Sequence, residues 1–205
     1  MSIVLPGKKI YTTFGRFQPP TVGHGENFDA IAKAAKEGGG DYRIYLSQTS
    51  SPKKDNPLKP DFKMDIIKKA FPKHANHFRG GSQFNVIAAA LAHCMLDEKT
   101  NEVVYRHLIY MCGSDRMPEM SWVIRHNGKR SEKGNYYQFL TAKLESSGSR
   151  DAEKDTYTMS GTKMRRAAQN DDWDFFRKGA PEGLNDAQAR LLMGNLKNTL
   201  KGVKV

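Results

Sequence analysis

KIYTTFGRFQPPTVGHGENFDAIAKAAKEGGGDYRIYLS, residues 9–47, decides the fold. Its opening run, Lys9–Phe14, is β-branched and aromatic, the composition of a strand. Residues 22–37 then place Phe28, Ile31 and Ala35 on one helical face, and three glycines at 38–40 stop the helix. Tyr42–Ser47 is a second strand. Strand, helix and strand at this spacing form a βαβ unit, which brings the two strands parallel.

The alternation continues beyond it. A polar, proline-punctuated loop, QTSSPKKDNPLKP, covers residues 48–60, and a helix over 60–71 carries a stripe of Phe62, Ile66, Ile67, Ala70 and Phe71. A short strand or irregular segment is expected near 77–79, and a helix over roughly 83–97. RHLIYMCGSD, residues 106–115, has the continuous apolar centre of a strand buried on both faces. A helix over 116–126, a strand over Tyr136–Leu144, a charged loop (SSGSRDAEKD) and a helix opening near 160 follow. Short helices complete the chain, the last of them basic, near 185–201. The expected fold is α/β, a Rossmann-like three-layer sandwich with a mostly parallel sheet and a small helical C-terminal part. The boundaries are 1–170 for the main domain and 171–205 for a helical extension packed on it. Ligands in such folds sit at the carboxyl ends of strands, so the loops after residues 14, 47, 112 and 144 are the places for chemistry.

Composition narrows the class. A hydrophobic share of 38% rules for a folded core over disorder. The balance of 33 basic against 22 acidic residues, +11 net, favours polyanionic partners such as nucleotides, phosphorylated molecules or nucleic acid. Cys94 and Cys112 both lie in apolar segments, as small core residues in a reducing compartment, without a disulfide framework. No apolar run approaches the roughly 18 residues of a membrane span, and the N-terminus lacks a signal peptide's apolar region. The expected location is the cytoplasm, that of a host cell if the source is viral, with no membrane partner. The patterns GxxxxGK[ST], GxGxxG after a strand and GxSxG do not occur.

GRFQPPTVGH, residues 15–24, is unusually equipped for a loop. Gly15 ends the strand without a Cβ and lets a ligand approach the backbone. Pro19 and Pro20 stiffen the turn. Thr21 is placed to cap the helix and leaves His24 in its first turn, where backbone amides and the macrodipole favour an anion. An ordinary strand–turn–helix connection with a surface histidine fits the same spacing. SGTKMR, residues 160–165, offers a second capped helix start with Lys163 and Arg165 adding positive charge. Alone it is equally a plain basic helix.

Taken together and in this order, the two motifs resemble those of the nucleotidylyltransferase superfamily. Thr21-Val22-Gly23-His24 is similar to its HxGH signature, with threonine in the first position as in the TxGH of phosphopantetheine adenylyltransferases. GRFQP is closer to archaeal-type nicotinamide mononucleotide adenylyltransferases, and SGTKMR resembles SGTxxR. The long stretch 147–165 also looks like nucleotidylyltransferase-like proteins of tailed bacteriophages. The resemblance covers residues 9–170 in element order and is close only in the two motifs.

It implies transfer of a nucleoside monophosphate, AMP from ATP, to a phosphorylated acceptor such as nicotinamide mononucleotide, with Mg²⁺ accompanying the triphosphate. His24 would act on the α-phosphate with Thr21 assisting, and Arg16, beside Phe17 and Gly23, would grip a phosphate. Ser160, Gly161, Thr162, Lys163 and Arg165 would hold the β and γ phosphates. Gly113-Ser114-Asp115 resembles the family's G(S/A)D, placing Gly113 and Asp115 beside the nucleoside. A cytidylyltransferase acting on a phosphorylated alcohol fits the same pattern.

Other residues are less specific. Lys53 and Lys54 are candidates for a phosphate or ordinary surface lysines. DFKMDII stands where the family has an ERxxMI-like helix, so the arginine is absent and Lys63 is nearby. Trp122 and Trp173 present faces for base stacking, although core packing is the commoner use of tryptophan. His74 and His77 lack the partners of a zinc site, so no protein-bound metal is expected. Arg190, Lys197, Lys201 and Lys204 motivate a rival reading, a non-catalytic nucleic-acid-binding or phage structural protein.

Overall fold

A computed structural model describes residues 7–49, 54–130, 134–148 and 159–205. Lys53 and residues 149–158 of the charged loop lie outside them. Five strands form one all-parallel sheet in the order β3-β2-β1-β4-β5: β1 (Lys8–Gly15), β2 (Asp41–Leu46), β3 (Phe78–Arg79), β4 (Tyr105–Cys112) and β5 (Thr141–Ser146). β1 pairs with β4 through Ile10–Leu108 and Tyr11–Ile109, and β4 with β5 through Leu108–Ala142 and Tyr110–Leu144. Strand order reverses between β1 and β4, so the loop leaving β1 starts at the topological switch point.

The helices are α1 (Val22–Glu37), α2 (Pro60–Ala70), α3 (Ile87–Cys94), α4 (Met117–Met120), α5 (Trp122–Arg125), α6 (Gly161–Gln169), α7 (Trp173–Gly179) and α8 (Asp186–Thr199). Side-chain alternation along the central strands produces the layers. Ile10, Leu108 and Tyr110 pack with Ala88, Leu91 and Cys94 of α3 and Val123 of α5. Tyr11, Ile109 and Met111, on the opposite face, pack with Ile31 and Ala35 of α1. The expected stripe of α1 is thus the buried one. Its glycine stop works through Gly39, at φ 67°, while Gly38 and Gly40 donate back to Ala34 and Ala35.

The chain gathers into two compact units, each discontinuous in sequence. Among the described residues, one unit takes those within 1–14, 27–45 and 83–149, and holds both clusters just described. The other takes those within 15–26, 46–82 and 150–205. The expected boundary at 170 falls inside this second unit, between α6 and α7, where α6 packs against both α7 and α8. Among the described residues no helix is long and apolar enough to cross a membrane.

Three expected elements are displaced. The helix expected over 116–126 is a 3-10 turn, Ser114–Arg116, followed by the one-turn helices α4 and α5. Pro118 brings no N–H, and the Ser121 hydroxyl donates to the Pro118 carbonyl (2.8 Å), competing with the helical ladder. The helix expected over 83–97 is shorter, because Val86 is extended and the buried Arg43 takes the carbonyls of His93 (3.1 Å) and Leu96 (2.9 Å) at its far end. Residues 136–140 are not strand. Both backbone groups of Phe139 are taken by the Asn127 side chain (2.8 and 2.9 Å), and Gly128 donates to the Tyr137 carbonyl, so pairing in the sheet begins at Thr141.

Asn127 therefore decides where β5 starts. Asn127→Ala should cost about 1–3 kcal/mol, by leaving two backbone groups of Phe139 unpaired. Urea denaturation of the variant checks it, and an unchanged midpoint would refute the assignment.

Candidate functional site

The loop leaving β1 is built from backbone that no ladder can pair. Gly15 still accepts from the Ser47 amide (2.9 Å), the last link between the exits of β1 and β2. Beyond it, the carbonyls of Arg16 and Ser47 both accept from the Lys63 ammonium, 3.0 Å away in the case of Arg16. The Gln18 side chain, buried, pairs with both backbone groups of Leu58, accepting from its amide (2.9 Å) and donating to its carbonyl (3.2 Å). The Gln18 carbonyl accepts from Nη1 of Arg165 at 2.6 Å.

That last bond joins the two motifs. Arg165 is 7% exposed, donates through Nη2 to the Thr162 hydroxyl (3.1 Å) and faces Asp55 at 3.5 Å. Its Nε is buried and has no hydrogen-bond partner among the described residues. Burial lowers the guanidinium from its ordinary value; Asp55 opposes this, while Arg16 and Arg166 push further the same way. Positive charge is therefore concentrated at this place in the second unit. Gly161 sits as close: a Cβ on it would lie 3.1 Å from the Gln18 carbonyl oxygen. Ser160 caps α6, its hydroxyl accepting from the Lys163 amide (3.3 Å), and Ser160, Thr162 and Lys163 are exposed. Arg16 is exposed as well.

His24 is tied to Thr21 through Nδ1. Its Nδ1 accepts from the Thr21 amide at 2.9 Å and lies 3.0 Å from the Thr21 hydroxyl, while the His24 amide donates to the Thr21 carbonyl (3.0 Å). This is the reach-back half of a capping box, with histidine in the place usual for glutamate or glutamine, while the His24 amide goes to the Thr21 carbonyl and not to its hydroxyl. Because Nδ1 is an acceptor, the neutral ring carries its proton on Nε2, which becomes a hydrogen-bond donor. Phe17 meets the imidazole edge-on, with centroids 5.0 Å apart. Its backbone is left-handed (φ 47°), a conformation that costs a bulky residue about 1–3 kcal/mol and tends to persist at functional sites.

Gly15 owes its identity to this ring. A Cβ there would lie 2.4 Å from Cζ of Phe17, so the space expected for a ligand is filled by protein. Gly23 lies inside the capping turn of α1. Gly113 and Asp115 belong to the other unit: Gly113 precedes the 3-10 turn, and a Cβ on it would meet the Asp115 carboxylate at 2.6 Å.

The remaining candidates are largely engaged elsewhere. Trp122 packs on the apolar cluster and against His126. The Arg190 guanidinium lies 3.9 Å over the Trp173 ring, and Lys197 pairs with Asp171. Among the described residues no group of three or more His, Cys, Asp or Glu converges as a metal site. Lys54 is exposed.

Sequence reasoning missed Lys63 as a buried residue. It expected Phe62 on the inner face of α2, but Phe62 is half-buried and Lys63 is 1% exposed. The signal was the spacing itself, since 63, 66, 67 and 70 fall on one helical stripe. Burial pushes the Lys63 ammonium down to about 8 from 10.5. Gln18 carried no signal: its role depends on Leu58 and Arg165, both distant in sequence.

Two outcomes follow. Nitrogen NMR of the neutral His24 ring should show an unprotonated Nδ1 and a protonated Nε2; the opposite tautomer would refute the capping geometry. Between pH 8 and 10.5 the unfolded chain binds the Lys63 proton more tightly, so stability from this group rises with pH, by about 1–3 kcal/mol. The buried thiols and tyrosines act in the opposite sense above about pH 9, so the measure is the difference between wild type and Lys63→Met in urea denaturation. Compared with protein-family models and with curated proteins, the chain matches none.

Proposed function

We propose that this chain is a nucleotidylyltransferase, transferring AMP from ATP to a phosphorylated acceptor, nicotinamide mononucleotide, and releasing pyrophosphate. One observation carries the reading. Residues 15–24 and 160–165, the two stretches that resemble the superfamily's motifs, meet through Arg165 and the Gln18 carbonyl in one compact unit. A donor histidine, a capped helix start and several cationic side chains lie on these stretches.

In the proposed reaction an acceptor phosphate oxygen attacks the α-phosphorus in line. The new P–O bond forms as the bond to the bridging oxygen breaks, and pyrophosphate carries away the electron pair. The protein's task is positioning and charge neutralisation. Nε2–H of His24 donates to the α-phosphate as charge grows there. Arg16 and Lys163 attract phosphate oxygens, and the start of α6 with Ser160 and Thr162 receives the triphosphate tail. Arg165, committed to Gln18, Thr162 and Asp55, shapes this site and adds to its field. Mg²⁺ enters with the triphosphate as its counter-charge. The resemblance assigns Gly113 and Asp115 to the nucleoside, and Asp115→Ala tests that assignment separately.

The test is pyrophosphate release from ATP or CTP with Mg²⁺ and a panel of phosphorylated acceptors, including nicotinamide mononucleotide and phosphorylated alcohols. Turnover is expected with ATP; turnover with CTP alone selects a cytidylyltransferase. His24→Ala should lower kcat about 10²–10³-fold, and Lys163→Ala should chiefly raise KM for the triphosphate. No turnover with any pair, together with salt-sensitive binding to DNA or RNA, would overturn the enzyme in favour of a nucleic-acid-binding protein.

A further inference from the structure

We propose that Lys63 is a positioning residue of this site, its buried ammonium holding the loops that leave β1 and β2 in the arrangement that presents Arg16. The inference rests on the nucleotidyl-transfer reading for its function and on geometry for its structural part.

The choice of residue is the first argument. The stripe of α2 that faces inward is otherwise apolar, with Ile66, Ile67 and Ala70 buried beside Lys63. A methionine or leucine would fill that position without a charge to desolvate. A buried ammonium is costly unless hydrogen-bonded, and the described contacts of Nζ are two backbone carbonyls, with no carboxylate between them. The charge is thus retained where it destabilises, and what it supplies is donors.

The second argument is where those donors go. Parallel strands end with carbonyls that the ladder no longer pairs, and an unpaired buried carbonyl is costly. The Ser47 amide reaches Gly15, one residue before the strands part. The next carbonyl on β1's side, Arg16, and that of Ser47 itself are both taken by the one ammonium. Lys63 therefore continues the β1–β2 connection past the end of the sheet, using a side chain from α2 in place of a strand.

The third argument is direction. In a trans peptide the C=O and N–H point opposite ways. Fixing the Arg16 carbonyl toward α2 turns the N–H of the Arg16–Phe17 peptide away from it. It also sets the starting orientation of Phe17, whose ring abuts His24. Gln18, two residues on, is then in place to pair with Leu58 and to accept from Arg165. The loop is held at Arg16 by α2, and at Gln18 by Leu58 and by α6. Lys63 is the tie nearest Arg16.

The experiment compares wild type, Lys63→Met and Lys63→Gln in the full chain. Hydrogen exchange is read at the Ser47 and Leu58 amides, whose bonds depend on the loop, with amides of α2 and β4 as references. Exchange at Ser47 and Leu58 should rise at least about tenfold in Lys63→Met, as a local opening. The reference amides should stay unchanged and the melting temperature should move little, because relief of the buried charge offsets the two carbonyls left without a donor. In the pyrophosphate assay Lys63→Met should lose about 100-fold in kcat, with KM for the triphosphate moving less than about threefold. Lys63→Gln, keeping donors without the charge, should recover part of both. Unchanged exchange at Ser47 and Leu58 would overturn the proposal, as would faster exchange throughout the chain. Loop opening without loss of kcat would overturn the positioning role. If wild type releases no pyrophosphate, nucleotidyl transfer fails while the exchange data still decide whether Lys63 holds the loops.

Discussion

A buried guanidinium joins the two halves of the site. Arg165 reaches the carbonyl of Gln18 across 147 residues of sequence. A charge so enclosed is costly unless its donors are used, and here the two Nη groups meet a carbonyl, a hydroxyl and a carboxylate. Everything distinctive about the loop after β1 depends on that carbonyl being where it is. Gln18 then pairs with Leu58 through its side chain, Phe17 takes a left-handed turn, and its ring covers Gly15 and abuts His24.

The same interaction explains the electrostatics. Arg16 and Arg166 both act against the charge of Arg165, and Asp55 is the carboxylate that opposes them. Lys63 adds an ammonium bound to carbonyls alone among its described contacts. Crowding cations in partly desolvated surroundings is unfavourable in isolation and becomes favourable when an anion enters. This crowding of cations is what supports the proposed phosphate chemistry in this unit. Thr21 belongs to the same logic: its amide donates to Nδ1 of His24, which puts the proton of the neutral ring on Nε2.

Much of the fold was legible because local rules and tertiary demands agree there. The stripe Phe28, Ile31 and Ala35, the glycine stop after it and the cap Ser160 depend on residues a few positions apart. Where reading failed, a distant partner intervened. Asn127 captured Phe139 and delayed β5; Arg43, buried in β2, claimed the carbonyls ending α3. Gly15 was legible as a close approach, but the approaching group is Phe17, whose left-handed backbone no pattern announces.

By itself, the sequence determined the α/β class, the strand–helix alternation and the two helix starts that carry His24 and Lys163. These follow from periodicity and capping, which act over one or two turns. Only the tertiary structure decided that the two motifs meet, that Arg165 serves the loop as well as its own helix, and that Lys63 faces inward. The reason is physical. A buried charge or carbonyl is satisfied by whichever group the fold delivers to it, and distance along the chain says nothing about which group that is.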